Sequence, residues 1–168
     1  MRKFWLGVGT TLIAAVVVVL GAARSGFVPL HANARPSRLE QYLAQMALDA
    51  SVARQAPVLQ NPYAVTEESL LKGLKVYRNN CAGCHGGPSK DPAVFGQSMF
   101  PPVPQFVIRP PTKPEWQLYW LIRNGVRRSA MAAWKPLLSE EEMWDAAAFL
   151  HRLDSLPPVV VVDWHRPS

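Results

Sequence analysis

The chain reads as all-α with a membrane-crossing helix at its N-terminus, and three observations carry that reading. One is an uncharged apolar run from Phe4 to Ala23. Another is a set of helix-start signatures, Ser37 with Glu40, Thr112 with Glu115 and Ser139 with Glu142, each ahead of apolar residues at helical spacing. The last is the presence of 16 prolines and 10 glycines among 168 residues, which implies short helices joined by long, proline-stiffened connections. That length holds one compact domain plus an appendage and excludes a large multidomain catalyst. With 49% hydrophobic and 18% charged residues, the chain is too apolar to be wholly disordered. Of the net charge of +6, residues 1–59 supply +4, through Arg2, Lys3, Arg24, Arg35, Arg38 and Arg54 against Glu40 and Asp49. No basic run interleaved with aromatics occurs, so the basicity belongs to membrane-flanking and connector positions and no nucleic-acid partner is expected.

The segment FWLGVGTTLIAAVVVVLGAA has 20 residues, which at helical rise cover about 30 Å, enough to cross a bilayer. The alternative is a cleaved secretory signal, with Met1-Arg2-Lys3 as its charged start and Ala32-Asn33-Ala34 as its cleavage site. That site lies beyond an arginine-containing stretch, and the apolar run is longer than a signal needs, so residues 1–24 are read as an uncleaved anchor. Arg2, Lys3 and the terminal amine precede the run and only Arg24 follows it closely, which leaves the N-terminus in the cytoplasm and exports the rest.

Residues 25–65 form an exported connector. Within it, 37–56 reads as an amphipathic helix: Leu39, Tyr42, Leu43, Met46, Ala47, Ala50 and Ala53 recur at helical spacing and Pro57 stops it. This stripe must meet the following domain, a membrane surface or a partner subunit, and the sequence leaves the three open. The run PVLQNPYAV, residues 57–65, is a linker.

The only two cysteines stand in Cys81-Ala82-Gly83-Cys84-His85. Two thiols at this spacing on a helical turn can add to the two vinyl groups of a haem while the adjacent imidazole reaches the iron, so one covalent haem c is expected through Cys81 and Cys84, with His85 as metal ligand. A thioredoxin-like pair would need a βαβ surround, and a zinc site would need a second pair of ligands. Ahead of the motif, Thr66 can cap a helix with Glu67 and Glu68 in its first turn and Leu70, Leu71, Leu74, Val76 and Tyr77 on its apolar faces. Behind it, a helix over Trp116–Ile122 begins at the Thr112/Glu115 box, with Pro114 in its first turn, and ends at Gly125. The helix after Ser139 carries Met143, Trp144, Ala147, Ala148, Phe149 and Leu150.

Sixth-ligand candidates after the motif are Met99, Met131, Met143, His151 and His165. Met143 falls on the core face of a helix. Met131 lies in an irregular stretch between helices, where a loop can present its thioether to an iron, and it is the expected second metal ligand.

Residues 66–153 resemble the class I c-type cytochromes, in particular the small membrane-attached monohaem proteins of bacteria. The likeness runs through YRNNCAGCHGG, FPPVPQF and WQLYWLIRNGVRRSAMAAWKPLLSEEEMWDAAAFLHRL. Asn124-Gly125-Val126, Met131, Ala133-Trp134 and Ser139 through Trp144 fall on the family's pattern, while Ala130 replaces its usual glycine and Ala132 its usual proline. The resemblance implies Met131 as iron ligand, a proline-loop carbonyl at Pro101 or Pro102 accepting the His85 N–H, and Trp120, Arg109 and Arg123 as partners of the haem propionates.

The organisation expected is therefore an anchor over 1–24, a connector over 25–65, a haem domain over 66–156 and a tail over 157–168. The apolar run Val159–Val162 in the tail is read as a strap over the domain or as an edge for a partner. The implied function is one-electron transfer at the periplasmic face of a bacterial cytoplasmic membrane, by a carrier rather than an enzyme. It would work between partners such as a quinol-oxidising complex, a periplasmic dehydrogenase and a terminal oxidase. A permanent haem subunit of a larger membrane complex, and a gas-binding or peroxidatic haem protein, are the alternatives.

Overall fold

A computed structural model of the chain describes residues 1–27, 30–31, 34–89 and 91–166. They form two compact units, residues 1–34 and 35–168. The Ala32-Asn33-Ala34 cleavage reading falls mostly outside the described residues.

The first unit is helix α1, Arg2–Arg24. It is long and apolar enough to cross a membrane, with a mean hydropathy of 2.3 over its most apolar window. Its two threonines add no unsatisfied polar group, because Thr10 Oγ1 donates to the Leu6 carbonyl (2.9 Å) and Thr11 Oγ1 to that of Gly7 (3.0 Å).

The second unit holds α2 (Arg38–Gln55), α3 (Glu67–Asn80), α4 (Ala82–His85), α5 (Val94–Gln97), α6 (Glu115–Asn124), α7 (Glu140–His151) and α8 (Pro158–Trp164). No strand occurs among the described residues. Three of these helices start on reciprocal capping boxes, Ser37/Glu40, Thr66/Ser69 and Ser139/Glu142, each worth about 1 kcal/mol to its helix. The fourth expected start is different. Pro114 is the cap of α6, with no side-chain hydrogen bond. The Glu115 carboxylate turns instead to Asn61 Nδ2 (2.7 Å) and Arg152 Nη1 (2.8 Å), tying α6 to the linker and to the end of α7. A charged partner on another element outcompetes the neighbouring threonine.

The core is built on α3 against α7, with α6 and α8 packed beside them. At the crossing α3 carries Gly73, where a Cβ would collide with the Asp145 backbone carbonyl. Only glycine allows the two backbones so close. Next to it Tyr77, Phe149 and Trp164 form a triangle of rings with centroids 5.6–5.7 Å apart. The valine run is therefore not a strand, and Val159, Val161 and Val162 stay exposed. It is helical, and it puts Val160 (0% exposed) and Trp164 (6%) into the core while Arg78 Nη2 donates to the Asp163 carbonyl.

Helix α2 meets the domain by a face other than its apolar stripe. Its contact with the domain comes from Leu48, Asp49, Val52 and Ala56, with Val52 only 1% exposed and Asp49 paired to Lys113. The expected stripe of Leu39, Tyr42, Leu43, Met46, Ala47, Ala50 and Ala53 stays exposed.

Candidate haem-binding site

Helix α3 ends at Cys81, which also caps the single turn α4, so packing of Leu70, Leu74 and Tyr77 in the core fixes where the first thiol stands. The turn closes through Cys84 N–H and His85 N–H, both donating to the Cys81 carbonyl (3.0 and 2.9 Å). Both cysteines are free thiols. Burial, and secondarily the neighbouring Cys84, push the Cys81 thiol up to about 12, so it is held neutral.

A second loop clasps this turn. His85 Nδ1 lies 2.9 Å from the Pro104 carbonyl, and a carbonyl only accepts, so Nδ1 carries the proton and Nε2 keeps its lone pair. Pro104, not Pro101 or Pro102, supplies that carbonyl, because Gln105 and Phe106 fix the loop's register on the turn. The register is set by the next two residues. Gln105 Nε2 donates to the carbonyls of Cys84 and Val103 (both 2.9 Å), and its Oε1 accepts from Ala93 N–H (2.7 Å). Phe106 N–H donates to the His85 carbonyl (3.0 Å), and its ring stacks on the imidazole at 4.3 Å and 7°. Behind the turn, Tyr77 Oη donates to the Gly86 carbonyl (2.7 Å), and Gly96 lies so near the Cys84 carbonyl that a Cβ would overlap it. Burial lowers the His85 pKa, and the Pro104 hydrogen bond opposes it in part, which favours the neutral imidazole that metal binding needs.

The remaining sequence-predicted residues are placed as follows. Met131 is half-buried in the loop after α6. That loop hangs from the C-terminus of α6: Trp134 N–H donates to Ile122 (3.1 Å), Lys135 N–H to Arg123 (3.2 Å), and Val126 N–H to Met131's own carbonyl (3.0 Å). Gly125, at φ +67°, sits where a Cβ would collide with the Met131 carbonyl. Of the other ligand candidates, Met143 is core at 2% exposed, and Met99 is half-buried beside α5. His151 Nδ1 lies against the Lys113 carbonyl (3.3 Å) and His165 Nδ1 against the Val161 carbonyl (2.9 Å). Trp120 is half-buried on α6 and Arg109 is exposed. Arg123 Nη1 donates to Tyr119 Oη (3.1 Å), a phenol that in turn meets Glu140, so that guanidinium has a partner within the protein.

The residues present fit a covalently attached haem: two free thiols and an imidazole on one turn, with Nδ1 satisfied and Nε2 available. Residues 68–150 match the family model described as cytochrome C oxidase, cbb3-type, subunit III. They are a class I c-type cytochrome domain. No curated protein matches the chain. A cytochrome c domain implies covalent haem c and haem-based electron transfer, and the all-α architecture is that of the family. Pro104, Gln105, Phe106, Gly96 and Tyr77 are the functional residues the sequence reading missed. Three of them lie in the quoted FPPVPQF run, whose pairing with the CxxCH turn the resemblance implies but whose register only the fold reveals.

Proposed function

We propose that this cytochrome is a membrane-anchored, single-haem electron carrier with its haem domain on the periplasmic side of a bacterial cytoplasmic membrane. The observation that supports it most directly is the donor set of the α4 turn. Cys81 and Cys84 would hold the group through thioethers, and His85 Nε2, with Nδ1–H held by Pro104, would be one iron ligand. Met131, carried on the loop beyond α6, would be the other. When bound, the haem supplies a one-electron couple, and thioether ligation favours a relatively high potential. The protein's part is to orient the imidazole, keep it neutral and deny the iron a free coordination position. Helix α1 would keep the domain near partners such as a quinol-oxidising complex, a periplasmic dehydrogenase or a terminal oxidase, where tethering raises effective concentration.

A second reading, permanent membership of a membrane redox complex, is favoured by the matched family's description as an oxidase subunit. Isolation of the full chain in mild detergent separates the two: a monodisperse monohaem protein is expected of the carrier, and stoichiometric co-purifying subunits of the complex member. Exposure of the reduced protein to carbon monoxide tests the common premise. No uptake is expected, and ready uptake would contradict Met131 ligation and point to a gas-binding or peroxidatic haem.

A further inference from the structure

Helix α2 carries two apolar faces, and the domain uses one of them. At about 100° per residue, the packed set around Leu48, Val52 and Ala56 and the exposed set of Leu39, Tyr42, Leu43 and Met46 lie roughly 120° apart around the helix. The four exposed side chains keep between 46% and 66% of their surface accessible, although the opposite half of the same helix is fastened to the domain by Val52 and by the Asp49–Lys113 pair. The stripe is thus held rigidly by the haem domain and covered by nothing among the described residues.

Three features select its occupant. From Arg24 to Leu39 the chain has Arg24, Arg35 and Arg38 and no acidic residue. The two acids on α2 both have partners: Glu40, beside the stripe, accepts from Ser37 N–H at the helix start, and Asp49 is paired with Lys113, so the arginines outnumber the one carboxylate near the stripe. Such a segment complements an anionic lipid surface, with Arg side chains reaching headgroups and Tyr42 suited to the interface. In addition, only residues 25–37 separate α1 from α2, a span of at most about 50 Å, so α2 meets the bilayer at high local concentration. Finally, four side chains are too few for a self-association needing about 800 Å² per partner.

We infer that the Leu39/Tyr42/Leu43/Met46 face of α2 lies in the headgroup region of an anionic bilayer and so fixes how the cytochrome domain is presented above the membrane. The inference rests on the reading of α1 as a retained span. Because Asp49, Val52 and Ala56 tie α2 to the domain, seating the helix on lipid constrains the domain as well, rather than leaving it on a loose tether.

The test is amide hydrogen exchange on the full-length holoprotein in nanodiscs loaded with one copy each, in phosphatidylglycerol/phosphatidylcholine or in phosphatidylcholine alone. Amides of residues 39–47 should exchange at least tenfold more slowly in the anionic discs than the same amides of Leu43→Glu/Met46→Glu, while those of α3 and α7 agree within twofold. Both substitutions are at exposed positions and glutamate is a good helix former, so the fold should persist, as unchanged α7 protection would register. Equal exchange in the wild type and the double variant would overturn the inference, as would protection that appears only in discs reloaded with two copies, which would make the occupant a second chain. Rapid exchange across Arg2–Arg24 in the same data would mark failure of the anchor itself, and the inference would fall with it.

Discussion

The two arms that would flank the haem are built differently. The His85 arm is clamped on several sides: Pro104 and Phe106 on the imidazole and its backbone, Gln105 on the Cys84 carbonyl, and Tyr77 on Gly86. The Met131 arm is fixed only at its base, by backbone hydrogen bonds to α6 and by a turn in which Ser129 Oγ accepts from Met131 N–H (3.1 Å). It also holds Arg128 at φ +61°, a left-handed conformation that a branched-off side chain adopts at a cost. A ligand supported both from α3 and from the proline loop moves only when the fold moves. One held by a single helix end can be displaced alone. The proximal side should therefore fail together with global stability, and the distal side independently of it.

Substitutions at the two close-packed glycines break this comparison most sharply. Gly73→Ala drives a methyl into the Asp145 carbonyl at the α3/α7 crossing and should cost about 3 kcal/mol. Thermal melts of the holoprotein should show a large fall in Tm, with haem environment and fold lost in one transition. Gly125→Ala, which combines a positive φ with overlap on the Met131 carbonyl, should cost about 2 kcal/mol. Its signature is the opposite: covalent haem retained and the fold intact, but methionine ligation weakened, read as new uptake of carbon monoxide by the reduced protein.

Asp145 probes the crossing without steric change. It is 2% exposed, and burial, reinforced by Glu141 and Glu142, raises its pKa to about 6 from 3.8, with Lys72 opposing. Because the folded state holds this proton more tightly than the unfolded one, the stability tied to it is present below about pH 4 and is lost as pH rises to about 6. Asp145→Asn should therefore raise stability by about 1–2 kcal/mol at pH 7.5 and by almost nothing at pH 4, measured by denaturant melts at the two pH values. The smallest effect is expected at Arg128, where glycine relieves the left-handed strain. Arg128→Gly should stabilise by under about 1 kcal/mol without altering the His85 arm, seen as a slight rise in Tm with an unchanged proximal spectrum.

What the sequence made legible follows from locality. The capping boxes at Ser37 and Ser139 and the CxxCH turn are short-range signals, each complete within a few residues, and each marks its element. The core role of Met143 followed from periodicity alone. Misses came where the deciding partner is remote. The Thr112/Glu115 pattern was a plausible helix start until Asn61 and Arg152 claimed the glutamate. The histidine's carbonyl partner is expected at Pro101 or Pro102 and lies at Pro104, because proline loops have no period and the register is fixed by Gln105 and Phe106 reaching back to the turn. Four valines after Pro157-Pro158 suit an extended edge as well as a helix, and the helix they form carries Trp164 onto Tyr77 and Phe149. The close approach at Gly73 is visible only once α7 lies across it.

On the proposed function, one haem is held between His85 and Met131 of the distal loop. The most direct test is the visible spectrum of the periplasmically matured full-length protein beside that of Met131→Ala, oxidised and then reduced under carbon monoxide. The wild type should show the ferric methionine–iron charge-transfer band and no uptake of carbon monoxide, and the variant should lose the band and take up the gas with its haem still attached. A wild type that lacks the band and binds carbon monoxide readily, or a variant that keeps the band, would contradict the assignment of Met131.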